Sequence, residues 1–237
     1  MADDARRGRK LRRAITRSVR ALVTGGTGRI GSAIVDRLKG EGWTVVAAGR
    51  ADGDLAAVEQ ARALVERAVE ELGGLDLLVN AAGEGFAPRA VTEVTEADWD
   101  AAFGATVKGS FFVTQTAAAH LRASHGCIVM IEDVAAYQPW PSFAAHCAAK
   151  AAQAMLTRVL ARALAPEVRV CGVAPGPVAV EPDQEERRAA ETLLGRIGSP
   201  EDEAGADAYL ATADFVTGTS LVVDGGSLLH SMRLGPA

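Results

Sequence analysis

The chain has 237 residues, 49% of them hydrophobic, with 9 Pro and a formal net charge of −5. That length suits one well-cored α/β domain and is short for two. No run of eighteen uncharged apolar residues occurs. The start Met1-Ala2-Asp3-Asp4, followed by basic residues, lacks an apolar signal core, so a soluble, cytoplasmic protein without membrane contact is expected. Cys127, Cys147 and Cys171 are scattered, odd in number and without ligand spacing, which excludes a disulfide framework and gives no metal site.

Charge is uneven along the chain. The first twenty residues hold eight Arg/Lys against Asp3 and Asp4, leaving 17 basic and 28 acidic residues, a balance of −11, for the rest. Residues 1–18 therefore read as a basic, solvated extension and 19–237 as the domain. Nucleic-acid binding by the extension is the lesser reading, because no aromatic residue is interleaved there to stack on bases.

Apolar periodicity orders the remainder. Residues 19–24 are a short strand entering a Gly-rich turn, and Ile30, Ile34, Val35 and Leu38 then share one helical face. A strand follows at 43–48, an amphipathic helix at 55–72, and a strand at 75–79 ending at Asn80. A long helix capped by Thr95 covers 96–121. Then come a strand at 127–131, a helix at 142–164, and strands at 168–173 and 221–223. Strands separated by helices of this length pair in parallel, with right-handed crossovers and helices on both faces. The expected fold class is thus α/β, a single doubly wound parallel sheet. Ligands of such a sheet bind beyond the carboxyl ends of its strands, where the unusual residues of this chain fall.

Thr24-Gly25-Gly26-Thr27-Gly28-Arg29-Ile30-Gly31 turns from strand to helix. Glycines there permit a tight turn and let backbone N–H groups approach a pyrophosphate at the helix N-terminus. Arg50 follows the second strand, where an acidic residue would hold the ribose of NAD. A guanidinium there, with Arg29 nearby, suits a 2′-phosphate and favours NADPH/NADP+ over NADH. Asp133 closes a strand, and His146 and Lys150 lie four apart on the next helix, on one face.

Together these residues resemble the short-chain dehydrogenase/reductase family and, within it, the pteridine-reductase-like branch. The matching segments are Thr24 to Gly31, Asp54-Leu55, Asn80-Ala81-Ala82-Gly83, Thr106-Val107-Lys108-Gly109, Asp133, the His146 to Lys150 stretch, Pro175-Gly176-Pro177-Val178, Gly195 to Asp202 and Asp224-Gly225-Gly226. The resemblance implies a Rossmann-like fold and a cofactor site. Gly25, Thr27, Gly28, Arg29, Ile30 and Gly31 would serve the pyrophosphate, and Arg50 the 2′-phosphate. Asp54 and Leu55 would serve the adenine. Asn80 would support the central strand, with Ala81 and Gly83 backing the adenosine. Lys150 would bind the nicotinamide ribose and make the neighbouring proton donor more acidic. Pro175, Gly176 and Val178 would lie against the nicotinamide. The stretch between Arg50 and Asp54 is too short for a helix common in the family.

The chain departs from the family pattern at several positions. The usual catalytic Ser is Asp133, as in the pteridine-reductase-like branch, and the usual middle Gly of the loop is Arg29, also as in that branch. The usual Asn of the long helix is Thr106, whose hydroxyl can still bind water. The usual catalytic Tyr is His146. Val180 replaces the Thr that contacts the nicotinamide amide. Reduction of C=O or C=N by hydride needs a proton donor, and an imidazolium is a competent acid near neutral pH. A carboxylate at Asp133 within reach would favour that cation, and Lys150 would oppose it. The catalytic set is therefore read as Asp133, His146, Lys150 and Thr106.

Tyr137, Gln138, Pro139, Trp140 and Phe143, with Phe86, form a candidate wall for a flat or apolar ring. Residues 180–191 read as a short acidic lid backed by Arg187 and Arg188. His120, His125 and His230 carry no expected site role. The expected activity is NADPH-dependent reduction of a small ketone, quinone or pterin-like carbonyl or imine. The alternative is an NADP(H)-binding protein with little redox activity, acting as a sensor or interaction partner. Small faces on the Ala-rich helices near Thr106 and Lys150, taken with the family resemblance, imply a homodimer or homotetramer.

Overall fold

The apolar run after Val19 forms β1 (Arg20–Thr24), and every residue in it is buried. The computed structural model describes residues 18–230 apart from 84, 86 and 179. The further strands are β2 (Thr44–Ala48), β3 (Leu77–Asn80), β4 (Cys127–Ile131), β5 (Arg169–Pro175) and β6 (Ser220–Val223). They form one sheet in the order β2-β1-β3-β4-β5-β6, parallel throughout. The helices are α1 (Arg29–Gly40), α2 (Val58–Leu72), α3 (Glu96–Phe103), α4 (Ser110–Ser124), α5 (Ala144–Leu164), α6 (Glu185–Ala189), α7 (Pro200–Thr212) and α8 (Ser227–His230). This is the expected Rossmann-like architecture. Strand order reverses between β1 and β3, so a crevice opens at their carboxyl ends.

Alternation along the strands divides the core into two layers. Leu22, Leu78, Ile128, Met130 and Val170 pack against α2, α4 and α5. Ala21, Val23, Val79, Val129 and Val173 face α1 and α7. Each fully buried Val or Leu in these layers contributes about 1.5–3 kcal/mol of transfer free energy. Charged clips fix the lower edge of the sheet. Arg20 donates to both Asp76 oxygens, at 2.7 and 2.9 Å, tying β1 to the start of β3. Arg169 donates to the carbonyls of Leu210 and Ala211 at the end of α7.

Element boundaries shift from the sequence expectation for local reasons. The turn before α2 is held by Asp54, whose carboxylate accepts the Ala56 N–H at 2.8 Å, so the helix starts at Val58 rather than at residue 55. Pro141–Phe143 makes one tighter turn, so α5 starts at Ala144. Strand β5 runs on to Pro175, which pairs with Val223. The expected single helix of 96–121 is two helices joined through a widened turn, Gly104–Gly109. Glycine at both ends lets the backbone expand there, and such turns recur at functional sites. The stretch after β2 contains only the single turn Arg50–Asp52, leaving β2 at the sheet edge.

Candidate active site

The glycine loop shapes the crevice. Gly25 has φ +67°, and a Cβ there would press on the Ala81 carbonyl; a Cβ on Gly31 would meet the Gly25 carbonyl. Gly28 caps α1 without a side chain, and no acid sits in the first turn. The helix N-terminus therefore presents backbone donors with no carboxylate in its own first turn. Beside it lies a cavity of about 490 Å³ lined by Thr24, Gly25, Thr27, Gly28, Arg50, Asp54, Leu55, Ala81 and Gly83, among others. The volume, the glycine approach and Arg50 in the wall fit the adenosine half of a dinucleotide.

The other residues expected around the cofactor take different places. Ile30 and Gly31 belong to the first turn of α1, behind the loop. Asn80 is buried, and its amide donates to Thr114 at 3.1 Å, joining β3 to α4. It supports the crevice rather than lining it. Arg29 reaches across to Glu181, 2.7 Å away, with both side chains exposed. Gly176 gives room for Asp224, against whose Cα and Cβ a methyl group would collide, and its N–H donates to Val223. Val178 pairs with Gly198 and lines a second cavity of about 490 Å³ on the β6 side, with Pro177, Arg196 and Asp224. Asp202 on that side is held well below the usual carboxylate range by its hydrogen bonds to Arg196.

The proposed proton-transfer residues meet above the end of β4. Asp133 Oδ1 accepts the Ala135 N–H at 2.8 Å, which orients the carboxylate. Its Oδ2 lies 3.2 Å from His146 Nε2. Both His146 and Lys150 are 9% exposed. The ammonium of Lys150 donates to the Ile131 carbonyl at 2.8 Å and to Gln153 Oε1 at 3.1 Å. Burial lowers the Lys150 pKa, against the opposing pull of Asp133 and Glu132. Trp140 stacks nearly parallel to the His146 ring, with centroids 6.4 Å apart.

Two smaller cavities adjoin this group. One, of about 180 Å³, is lined by Thr106, Arg89, Asp98, Ser142, Phe143 and His146. Thr106 lies in the widened turn and is 4% exposed. The other, of about 250 Å³, is lined by Val134, Gln138, Trp140, Pro177, Arg188, Glu191, Ser227 and His230. Arg188 stands 6.0 Å from the centroid of the Trp140 ring and pairs with Glu191 at 2.6 Å. The expected wall is thus corrected in part. Tyr137 turns away and donates to Glu132 at 3.0 Å, because it closes the short turn that Asp133 caps. Phe143 lines the other cavity. His230, given no site role by the sequence, lines the cavity beside Trp140. Phe86 and nearly all of the basic extension, residues 1–17, lie outside the described residues.

Sequence reading missed Glu132, Gln153 and Thr157. Their signal was present: an acid at the exit of an apolar strand, and polar residues three and seven positions after Lys150 on one face of α5.

Among the described residues no helix is long and apolar enough to cross a membrane. A family model described as enoyl-(acyl carrier protein) reductase matches residues 47–227. The chain is 36% identical over 244 positions to 3beta-hydroxysteroid dehydrogenase 1 of Eggerthella lenta, covering 88% of this chain and 93% of that one. The structure of 3-ketoacyl-(acyl-carrier-protein) reductase from Brucella melitensis complexed with NADH is similar, with TM-score 0.84 and 26% identity over 88% of this chain and 98% of the other. So is a blue fluorescent protein from a metagenomic library in complex with NADPH, with TM-score 0.79 and 31% identity over 88% and 97%. With the family model matched over most of the chain and a relative this similar along its length, the chain belongs to the short-chain dehydrogenase/reductase family of oxidoreductases.

Proposed function

We propose that this chain is an NADPH-dependent reductase of a compact ketone, quinone or pterin-like carbonyl or imine substrate. The reading rests on one observation above all: the 3.2 Å pair of Asp133 and His146, with Lys150 one turn further along α5. The bound cofactor would supply hydride. Gly25, Thr27 and Gly28 would hold its pyrophosphate and Arg50 its 2′-phosphate. Asp54 and Leu55 would border its adenine, and Lys150 would hold the nicotinamide ribose. Within the chain, the Asp133 carboxylate, 3.2 Å from Nε2, orients the imidazole so that His146 can donate a proton to the atom that becomes negative. Thr106 would hold water in the cavity it shares with His146.

Asp133, and Arg29 at the glycine loop, support the pteridine-reductase-like branch. The cavity of about 250 Å³ beside Trp140 supports a compact substrate over a long acyl-carrier chain. We further propose a cytoplasmic homodimer or homotetramer comprising a basic extension, 1–18, and one catalytic domain, 19–237. Absorbance of NADPH, followed across a panel of pterins, quinones and ketones, tests the reading. Saturable oxidation supports it. Tight NADPH binding without turnover would instead make the chain a nucleotide-binding sensor or partner.

A further inference from the structure

Behind the Asp133 and His146 pair lies a second carboxylate that the mechanism does not use. Glu132 directly follows β4 and is 2% exposed. Its Oε1 accepts from Thr157 at 2.7 Å and its Oε2 from Tyr137 at 3.0 Å. The seat is made by a glycine: a methyl group on Gly172 of β5 would collide with the carboxylate. Burial pushes the Tyr137 hydroxyl up, so it remains a donor across the physiological range. Lys150, Gln153 and Thr157 fall on one face of α5 at spacings of three and four. Lys150 bonds to Gln153, and Gln153 reaches Ser110 of α4 at 3.4 Å. One buried polar array therefore links the turn carrying Asp133 to the face of α5 carrying Lys150.

We propose that Glu132 is a positioning residue: its carboxylate, bonded to Thr157 and Tyr137, fixes the turn that presents Asp133 and, one residue beyond the Ile131 carbonyl that takes the Lys150 ammonium, serves as a buried countercharge to that ammonium at the cofactor ribose. The proposal rests on the reading of Lys150 as ribose anchor. The charged and titratable groups around the array are Asp133 and Glu132 beyond β4, His146 on α5 itself, Tyr137 with Arg158 beside it, and Cys171 of β5, which senses Glu132. A buried ammonium loses its proton unless carboxylates compensate for its lost hydration. Asp133 and then Glu132 are the carboxylates that oppose that loss at Lys150.

Binding of NADPH to the full chain, followed by cofactor fluorescence from pH 6 to 10, tests this without requiring turnover. Glu132→Gln keeps the shape and the Thr157 bond but removes the charge. It is expected to bind NADPH normally at pH 6 and to lose affinity at a pH about one unit lower than the parent chain. Thr157→Val, which removes a bond and keeps the charge, should leave that pH unchanged. Gly172→Ala, which unseats the carboxylate, should reproduce the Gln effect and stands in if that variant does not fold. A uniform loss of affinity at every pH, or an unmoved alkaline limb in both Glu132→Gln and Gly172→Ala, overturns the proposal. The substrate panel reads the enzyme assignment separately. NADPH binding without turnover would defeat that assignment while leaving the Glu132 result interpretable.

Discussion

At the scale of single residues, the proposed function makes His146 the proton donor and Arg50 the source of the cofactor preference. Replacing a positioned general acid typically costs 10²–10⁴-fold in rate. His146→Ala is therefore expected to lower kcat by about 100-fold or more while leaving NADPH affinity unchanged; near-full turnover would remove the imidazole from the mechanism. His146→Tyr restores the family's usual side chain. Because a phenol keeps its proton to higher pH than an imidazole, that variant should extend activity towards alkaline pH, as a kcat profile would read. Arg50→Ala should weaken NADPH binding about 10–100-fold and spare NADH, since hydrogen bonds to a charged group contribute ~1.5–3 kcal/mol. Equal losses for both cofactors in a titration would detach Arg50 from the 2′-phosphate.

At the scale of elements, α7 holds a conflict that its sequence pattern already contains. Glu203 and Asp207 are one turn apart on the face packed against α1 and the sheet. They are essentially unexposed, and neither carboxyl has a hydrogen-bond partner among the described residues. Burial raises Glu203 to about 9, aided by neighbouring Asp207 and Asp202, and raises Asp207 well above its usual value. Both therefore bind a proton more tightly folded than unfolded. For Glu203 the stabilising effect is complete below its unfolded value near 4.5 and is lost as pH rises towards about 9, and Asp207 acts in the same direction. Melting temperature should accordingly fall over that window. Glu203→Val and Asp207→Val should flatten the fall and stabilise by about 1–3 kcal/mol each at pH 8. That corresponds to roughly 2–4 °C per kcal/mol for a domain of this size. A melting temperature that does not depend on pH between 5 and 9 would show that these carboxyls find partners in solution.

At the scale of the whole molecule, α5 leaves Met155 and Val159 more than half exposed on one side, while its other side holds the site. Assembly through α4 and α5 would cover that patch and brace the helix that carries His146 and Lys150. Light scattering at micromolar concentration is expected to give a dimer or tetramer, and Met155→Glu with Val159→Glu should reduce it to monomer. A monomeric parent chain would contradict the assembly. The sheet is also shorter on one side than the usual 3-2-1-4-5-6 order, because the segment after β2 contains a single turn before it returns to α2. Arg50, Asp54 and the cavity proposed for adenosine thus sit at the sheet margin.

The sequence by itself determined the alternation of strands and helices, the glycine loop and the spacing of His146 and Lys150. Each of these is local: apolar period, backbone freedom and helical geometry act within a few residues. The missing helix after Arg50 was legible for the same reason, as a shortage of chain. Only tertiary structure decided that Asp133 meets His146, that Tyr137 turns to Glu132 and that His230 borders the cavity beside Trp140. Those outcomes depend on which side chains from distant segments compete for one buried volume. Gly172 shows the reason: its missing Cβ has meaning only because Glu132, forty residues earlier, occupies the space.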